Sequence, residues 1–156
     1  MPGRSSSALI WVAAGLALVV FLRRDQVGRA APDFDLQGAY GGQYHLDSFH
    51  GRPLLLVFWT TSCSICRHEL PILDRLYSEA ARNGVELAGV NIGDVDGARE
   101  VMRPLHLLNL VDPDGRAARS YRVSGVPKLV LIGADGKIKR AAAGLEEEAD
   151  LREWLR

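Results

Sequence analysis

Hydrophobic positions fall into several kinds of run along this chain, and each kind predicts its own element. Leu54 to Trp59 is apolar throughout, as a strand covered on both faces would be, and reads as the central strand of a sheet. Beyond it Ile65, Leu70, Ile72, Leu73, Leu76 and Tyr77 recur at roughly helical spacing, which predicts a helix running to the stop signal Asn83-Gly84. Pro71 lies inside that helix and is expected to kink it. Val85 to Ile92 reads as a second strand, so that strand, helix and strand make a βαβ unit with parallel pairing.

The flanking segments fill out an α/β domain. Ala31 to Leu36 and Tyr44 to Leu46 are extended segments around a turn at Gly38 to Gln43, an N-terminal β-hairpin. Ala98 to Leu105 predicts a weak, short helix and Leu107 to Val111 a short strand. The turn Asp112-Pro113-Asp114-Gly115 then leads into one or two helical turns over Arg116 to Tyr121. Val123 to Pro127 precedes the apolar run Leu129 to Ile132, and a proline at the mouth of a strand suits an edge start or a cis bond. Ala134 to Lys137 is a hairpin turn into Ile138 to Ala143. Glu146 to Arg156 reads as a packed helix with acids in its first turn and Leu145, Ala149, Leu151, Trp154 and Leu155 to bury.

One run differs in kind. Ala8 to Leu22 is fifteen apolar or glycine residues without interruption, inside an uncharged stretch of eighteen between Arg4 and Arg23. Spanning a bilayer takes about 20 residues, with about 17 as the lower end, so residues 1–24 read as a short N-terminal membrane anchor. A cleaved signal peptide is the alternative, with Gly28-Arg29-Ala30 offering small residues for a cut, but that cut lies well beyond the apolar run and behind two arginines. Residues 25–31 then form a short polar tether and 32–156 the folded domain. Arg23, Arg24 and Arg29 outnumber Arg4 and the terminal amine, a distribution that by itself would hold the domain in the cytoplasm.

Composition narrows the function classes. The chain has 156 residues, 47% of them hydrophobic, enough for one domain with a real core. Net charge is zero overall, and from residue 25 onward 16 basic groups face 19 acidic ones, a balance of −3 that leaves no nucleic-acid footprint. Both cysteines belong to one motif, so there is no separate disulfide framework.

That motif, Cys63-Ser64-Ile65-Cys66, stands where the central strand delivers the chain to a helix start. Free backbone N–H groups and the positive end of the helix dipole favour a thiolate there, which makes Cys63 the attacking sulfur. Cys66 is one turn further on and suits the resolving partner of a mixed disulfide. Thr61 or Ser62 is a candidate cap. Three duller readings compete. A structural disulfide over so small a loop is worth about 2 kcal/mol, against about 3 for a fifteen-residue loop. A zinc site needs two more ligands from His45, His50, His68 and His106, none at metal-ligand spacing to the cysteines. Two inert core thiols fit poorly beside Ser62, Ser64 and Arg67. Redox-active cysteines fit the motif best, with no metal and no bound cofactor.

The order of elements, with Ala31-Pro32-Asp33-Phe34, Phe58-Trp59, Cys63-x-x-Cys66-Arg67-x-Glu69-x-Pro71, Val90-Asn91-Ile92-Gly93-Asp94, Gly125-Val126-Pro127 and Asp135-Gly136-Lys137, resembles the membrane-anchored TlpA/ResA-type thiol-disulfide oxidoreductases. The likeness covers about residues 31–156. It implies a thioredoxin-like fold with an N-terminal β-hairpin and an inserted βα segment. It also implies Cys63 as nucleophile, Cys66 as resolving thiol, and Pro127 as a cis-proline exposing the Val126 backbone to an extended client, with Ser62 and Trp59 beside it. By the same resemblance the domain is extracytoplasmic and reduces client disulfides, often during cytochrome c maturation, supplied by a membrane electron-transfer protein. The buried aspartate that thioredoxins carry six residues before the first cysteine is replaced by Val57, and Asp94, which matches an acidic site in the ResA-like branch, is the candidate for taking the Cys66 proton, with a plain helix cap as the competing reading. Arg67 and Glu69 are expected to pair on the surface or set the field at the thiols, or else simply to face solvent. Ser62 and Lys128 depart from the family pattern, and both changes are expected on the client-facing surface. Two other functions share parts of this pattern: a copper metallochaperone resembling the Sco type, whose cysteines are spaced more widely, and a maturation factor dedicated to one redox-enzyme client.

Overall fold

A computed structural model describes residues 26–156, and the anchor expected over residues 1–24 lies outside them. Seven strands form one mixed sheet: β1 (Asp35–Gly38), β2 (Gln43–His45), β3 (Leu54–Trp59), β4 (Glu86–Ile92), β5 (Leu108–Asp112), β6 (Lys128–Ile132) and β7 (Ile138–Ala143). Their spatial order is β2-β1-β5-β4-β3-β6-β7. β3, β4 and β5 are mutually parallel neighbours, while β6 runs antiparallel to β3, β7 to β6, and β1 to β5. Among the described residues four α-helices accompany the sheet: α1 (Ser64–Arg82), α2 (Val95–Met102), α3 (Arg116–Ser120) and α4 (Glu148–Trp154).

β3 is central because every one of its six residues is buried. Alternation along the strand divides them between two cores. Leu55, Val57 and Trp59 meet Leu70, Leu73 and Leu76 of α1, Met102 of α2 and Leu151 of α4. Leu54, Leu56 and Phe58 meet Phe34, Phe49, Ala117 and Tyr121 on the opposite face. At about 1.5 to 3 kcal/mol for each large apolar side chain buried, this strand alone anchors both layers. It thereby fixes where its C-terminal end, and the cysteines after it, must emerge.

Several boundaries differ from the sequence reading. α2 begins at Val95 rather than Ala98, because Asp94 caps it and Gly97 N–H bonds the Asp94 carboxylate at 3.0 Å. α4 begins at Glu148 with Glu147 at its N-cap, so Leu145 precedes the helix and is half exposed, and Ala149 faces solvent, where both were expected to be buried. α1 runs on through Pro71 as one helix. The described part of the tether lies against the domain: Gly28 N–H bonds Ile138 O, Ile138 N–H bonds Arg29 O, and Ala31 N–H bonds Gly136 O, at 2.7 to 2.9 Å.

Candidate active site

β3 ends at Trp59, and after three intervening residues Cys63 stands at the N-cap of α1. The cysteines are joined as a disulfide with a Cα–Cα distance of 5.3 Å. Cys63 Sγ accepts a hydrogen bond from Cys66 N–H at 3.1 Å, so the capping role expected of Thr61 or Ser62 belongs to the sulfur itself. One amide N–H and the positive end of a nineteen-residue helix therefore point at that sulfur, the setting that lowers a thiol's proton affinity once the bond is reduced. Cys63 is partly exposed, whereas Cys66 is fully buried against the α1 core. Ile65, between them, is half exposed.

The loop before β6 closes over the first cysteine. Val126-Pro127 is a cis peptide, and the Val126 carbonyl oxygen lies 3.8 Å from Cys63 Sγ. Gly144 N–H holds the Pro127 carbonyl at 2.9 Å. Ser62 is exposed at the rim, its hydroxyl 3.4 Å from that of Thr60. Trp59, expected beside the disulfide and the client path with a core role as the alternative, is fully buried in the α1-side core that also holds Cys66.

Two acidic residues stand in opposite environments. Glu69, read from the sequence as a surface partner of Arg67, a group setting the field at the thiols or a solvated side chain, is fully buried, because it follows Cys66 by three residues on the face of α1 that also carries Leu73 and Leu76. Arg67 points to solvent. Burial pushes the Glu69 carboxyl up to about 7, against the Glu146 N–H bond that lowers it and with the Glu146 charge adding to the rise. That amide donates to Glu69 Oε1 at 3.1 Å, and Oε2 is buried with no partner among the described residues. Asp94 is exposed and accepts from Gly97 N–H and, at 2.9 Å, from the Thr61 hydroxyl; these bonds hold its carboxyl below the usual carboxylate range. The acid whose environment suits proton exchange near neutrality is thus Glu69. Spacing alone contained that signal, since 66, 69, 73 and 76 are one helical stripe.

Lys128, expected on the client-facing surface, is half buried and turned toward the end of α3. Burial first, and the Arg122 charge second, lower its proton affinity.

Residues 27–141 match the AhpC/TSA family. The chain belongs to that family. Within it the chain is 30% identical over 132 residues to thiol-disulfide oxidoreductase ResA of Geobacillus thermodenitrificans, covering 83% of this chain and 76% of the relative. ResA of Bacillus subtilis is 28% identical over 141 residues, covering 87% and 79%. Among solved structures, a thiol:disulfide interchange protein DsbE from Chlorobium tepidum superposes with a TM-score of 0.76 at 26% identity, covering 83% of this chain and 94% of that one. The chain is a thiol-disulfide oxidoreductase of the ResA/DsbE type with a thioredoxin-like fold.

Proposed function

We propose that this oxidoreductase reduces client disulfides on the outer side of a membrane, carried there by the apolar run Ala8 to Leu22, with cytochrome c maturation as the setting. The observation that carries the reductive cycle is the division between the two sulfurs: one partly exposed at a helix N-terminus, the other buried directly behind it.

In the dithiol form the Cys63 thiolate attacks one sulfur of the client disulfide. An enzyme–client bond forms, the client S–S bond breaks, and one client thiolate leaves. The Cys66 thiol gives its proton to the Glu69 carboxylate and attacks Cys63 Sγ. The enzyme disulfide forms, the mixed disulfide breaks, and the second client sulfur leaves as thiolate. The client has gained two electrons, which a membrane-bound dithiol donor must return to the enzyme. An extended client lies along the backbone of Val126, beside Cys63 and just before cis-Pro127, where the main chain can pair with a strand. Ser62 and the exposed Ile65 border that path.

Direction is tested by the reduction potential of the Cys63–Cys66 pair, equilibrated against a thiol buffer. A value between about −270 mV, as in thioredoxin, and about −200 mV, as in glutaredoxins, assigns a reductase, whereas a value near the DsbA figure of about −120 mV assigns an oxidant and rejects the reductive reading.

A further inference from the structure

Lys128 opens β6 immediately after cis-Pro127, yet its ammonium turns away from the disulfide. Nζ donates to the Tyr121 carbonyl at 3.0 Å, the Arg122 carbonyl at 3.2 Å and Gln26 Oε1 at 3.3 Å. Gln26 Nε2 donates in turn to the same Tyr121 carbonyl at 3.1 Å. Three distant parts of the chain meet at one half-buried cation.

This knot closes a loop. Residues 122–128 lead from the end of α3 to the start of β6, and the Lys128 side chain ties the last of them back to the first. Arg122 sits at φ 51°, in the left-handed region that residues with a Cβ enter at a cost. Val123 N–H returns to the Ala118 carbonyl at 2.8 Å, the turn that ends the helix. The Tyr121 carbonyl that Lys128 covers is one a helix C-terminus leaves without an intrahelical donor, the Arg122 carbonyl follows it just past the cap, and a cation there opposes the negative end of the dipole. Between the knot and the cis-proline, Ser124 and Gly125 are exposed, and the stretch finishes at the Val126 carbonyl beside Cys63.

We propose that Lys128 is a positioning residue for client binding: its hydrogen bonds to Tyr121, Arg122 and Gln26 fix the backbone of Val123 to Val126, the strip beside Cys63 on which an extended client lies. The proposal rests on the client path given above. It accounts for a long cationic side chain at this position, since a short one would not reach these three acceptors. It also couples the strip to Gln26, the first described residue after the apolar run.

The test compares Lys128→Met, which keeps length and removes the charge, with wild type. One readout is amide hydrogen exchange at residues 123–126. The other is steady-state reduction of a cystine-bridged peptide and of a small aromatic disulfide. Loss of charge-assisted bonds is expected to raise exchange in that strip about tenfold and the KM for the peptide about tenfold, with kcat and the small-disulfide rate changed less than about twofold. Gln26→Ala, which removes one of the three acceptors, is expected to move both readouts the same way by a smaller factor, and stands in if Lys128→Met does not fold. Unchanged exchange in the strip, an unchanged peptide KM, or equal losses toward both disulfides would overturn the proposal. Failure of wild type to turn over any disulfide would reject the oxidoreductase cycle instead, and the exchange measurement would still decide the part played by Lys128.

Discussion

Replacing Glu69 by Gln keeps the side chain's size and an acceptor oxygen for the Glu146 amide, while removing the capacity to ionise. In the native protein this carboxyl holds its proton up to about 7, against an ordinary value of 4.5. A group whose folded value is raised contributes its full stability below the unfolded value and loses it as pH climbs through the folded one. At about 1.4 kcal/mol per pH unit the gap of about 2.5 pH units bounds that loss at about 3.5 kcal/mol, and relaxation of the folded protein around the charge reduces the expected figure to about 1.5. Glu69→Gln should therefore match wild type within about 0.5 kcal/mol near pH 4.5 and exceed it by about 1.5 kcal/mol at pH 8. Urea unfolding of the oxidised protein at several pH values, followed by tryptophan fluorescence, measures the difference. The same variant should resolve its mixed disulfide about a hundredfold more slowly, since the Cys66 proton has lost its acceptor. A stability difference that stays constant from pH 4.5 to 8 would refute the claim that a buried, ionising carboxyl stands behind Cys66.

Other outcomes follow from the same geometry. Asp94→Asn keeps a good capping side chain, so turnover should stay within about twofold of wild type, while Asp94→Ala should cost about 1 kcal/mol in thermal unfolding; a large loss of turnover in Asp94→Asn would instead make Asp94 the proton acceptor. A Cβ at Gly97 would collide with Asp94 Oδ2 and lie 2.8 Å from Thr61 Cγ2. Gly97→Ala should therefore be destabilising by about 1 kcal/mol in a calorimetric scan despite alanine's better helix propensity, and a stabilised variant would show that the Asp94 cap yields freely. Leu56→Ala, in the middle of the fully buried β3, should cost about 2 to 5 kcal/mol by urea titration, and a smaller loss would mean that the sheet closes over the gap.

How far the sequence could be read depended on whether an element's reason lay nearby in the chain. β3 and α1 were legible because burial on both faces and a helical stripe write themselves directly into residue order. The cysteine pair was legible because a strand end followed by a helix start has chemical meaning at that spacing. The cis bond before Pro127 was flagged by its place at a strand mouth. Glu69 eludes a reading from charge, because an acid on a helix ordinarily faces water, although its spacing to Cys66 and Leu73 puts it on the buried stripe. The start of the last helix is harder to read, at Glu148 rather than Glu146, since consecutive glutamates mark a first turn without saying which of them is its cap, and Leu145 is left half exposed ahead of it. Lys128 was out of reach: its partners lie six, seven and 102 residues away, and nothing local announces them.

The most direct test of the central claim is a trap. Reduced Cys66→Ala, mixed with a cystine-bridged client and analysed by mass spectrometry without reductant, should accumulate a one-to-one disulfide adduct carried on Cys63. An enzyme that stays unmodified while the client keeps its own bridge would contradict Cys63 as the attacking sulfur.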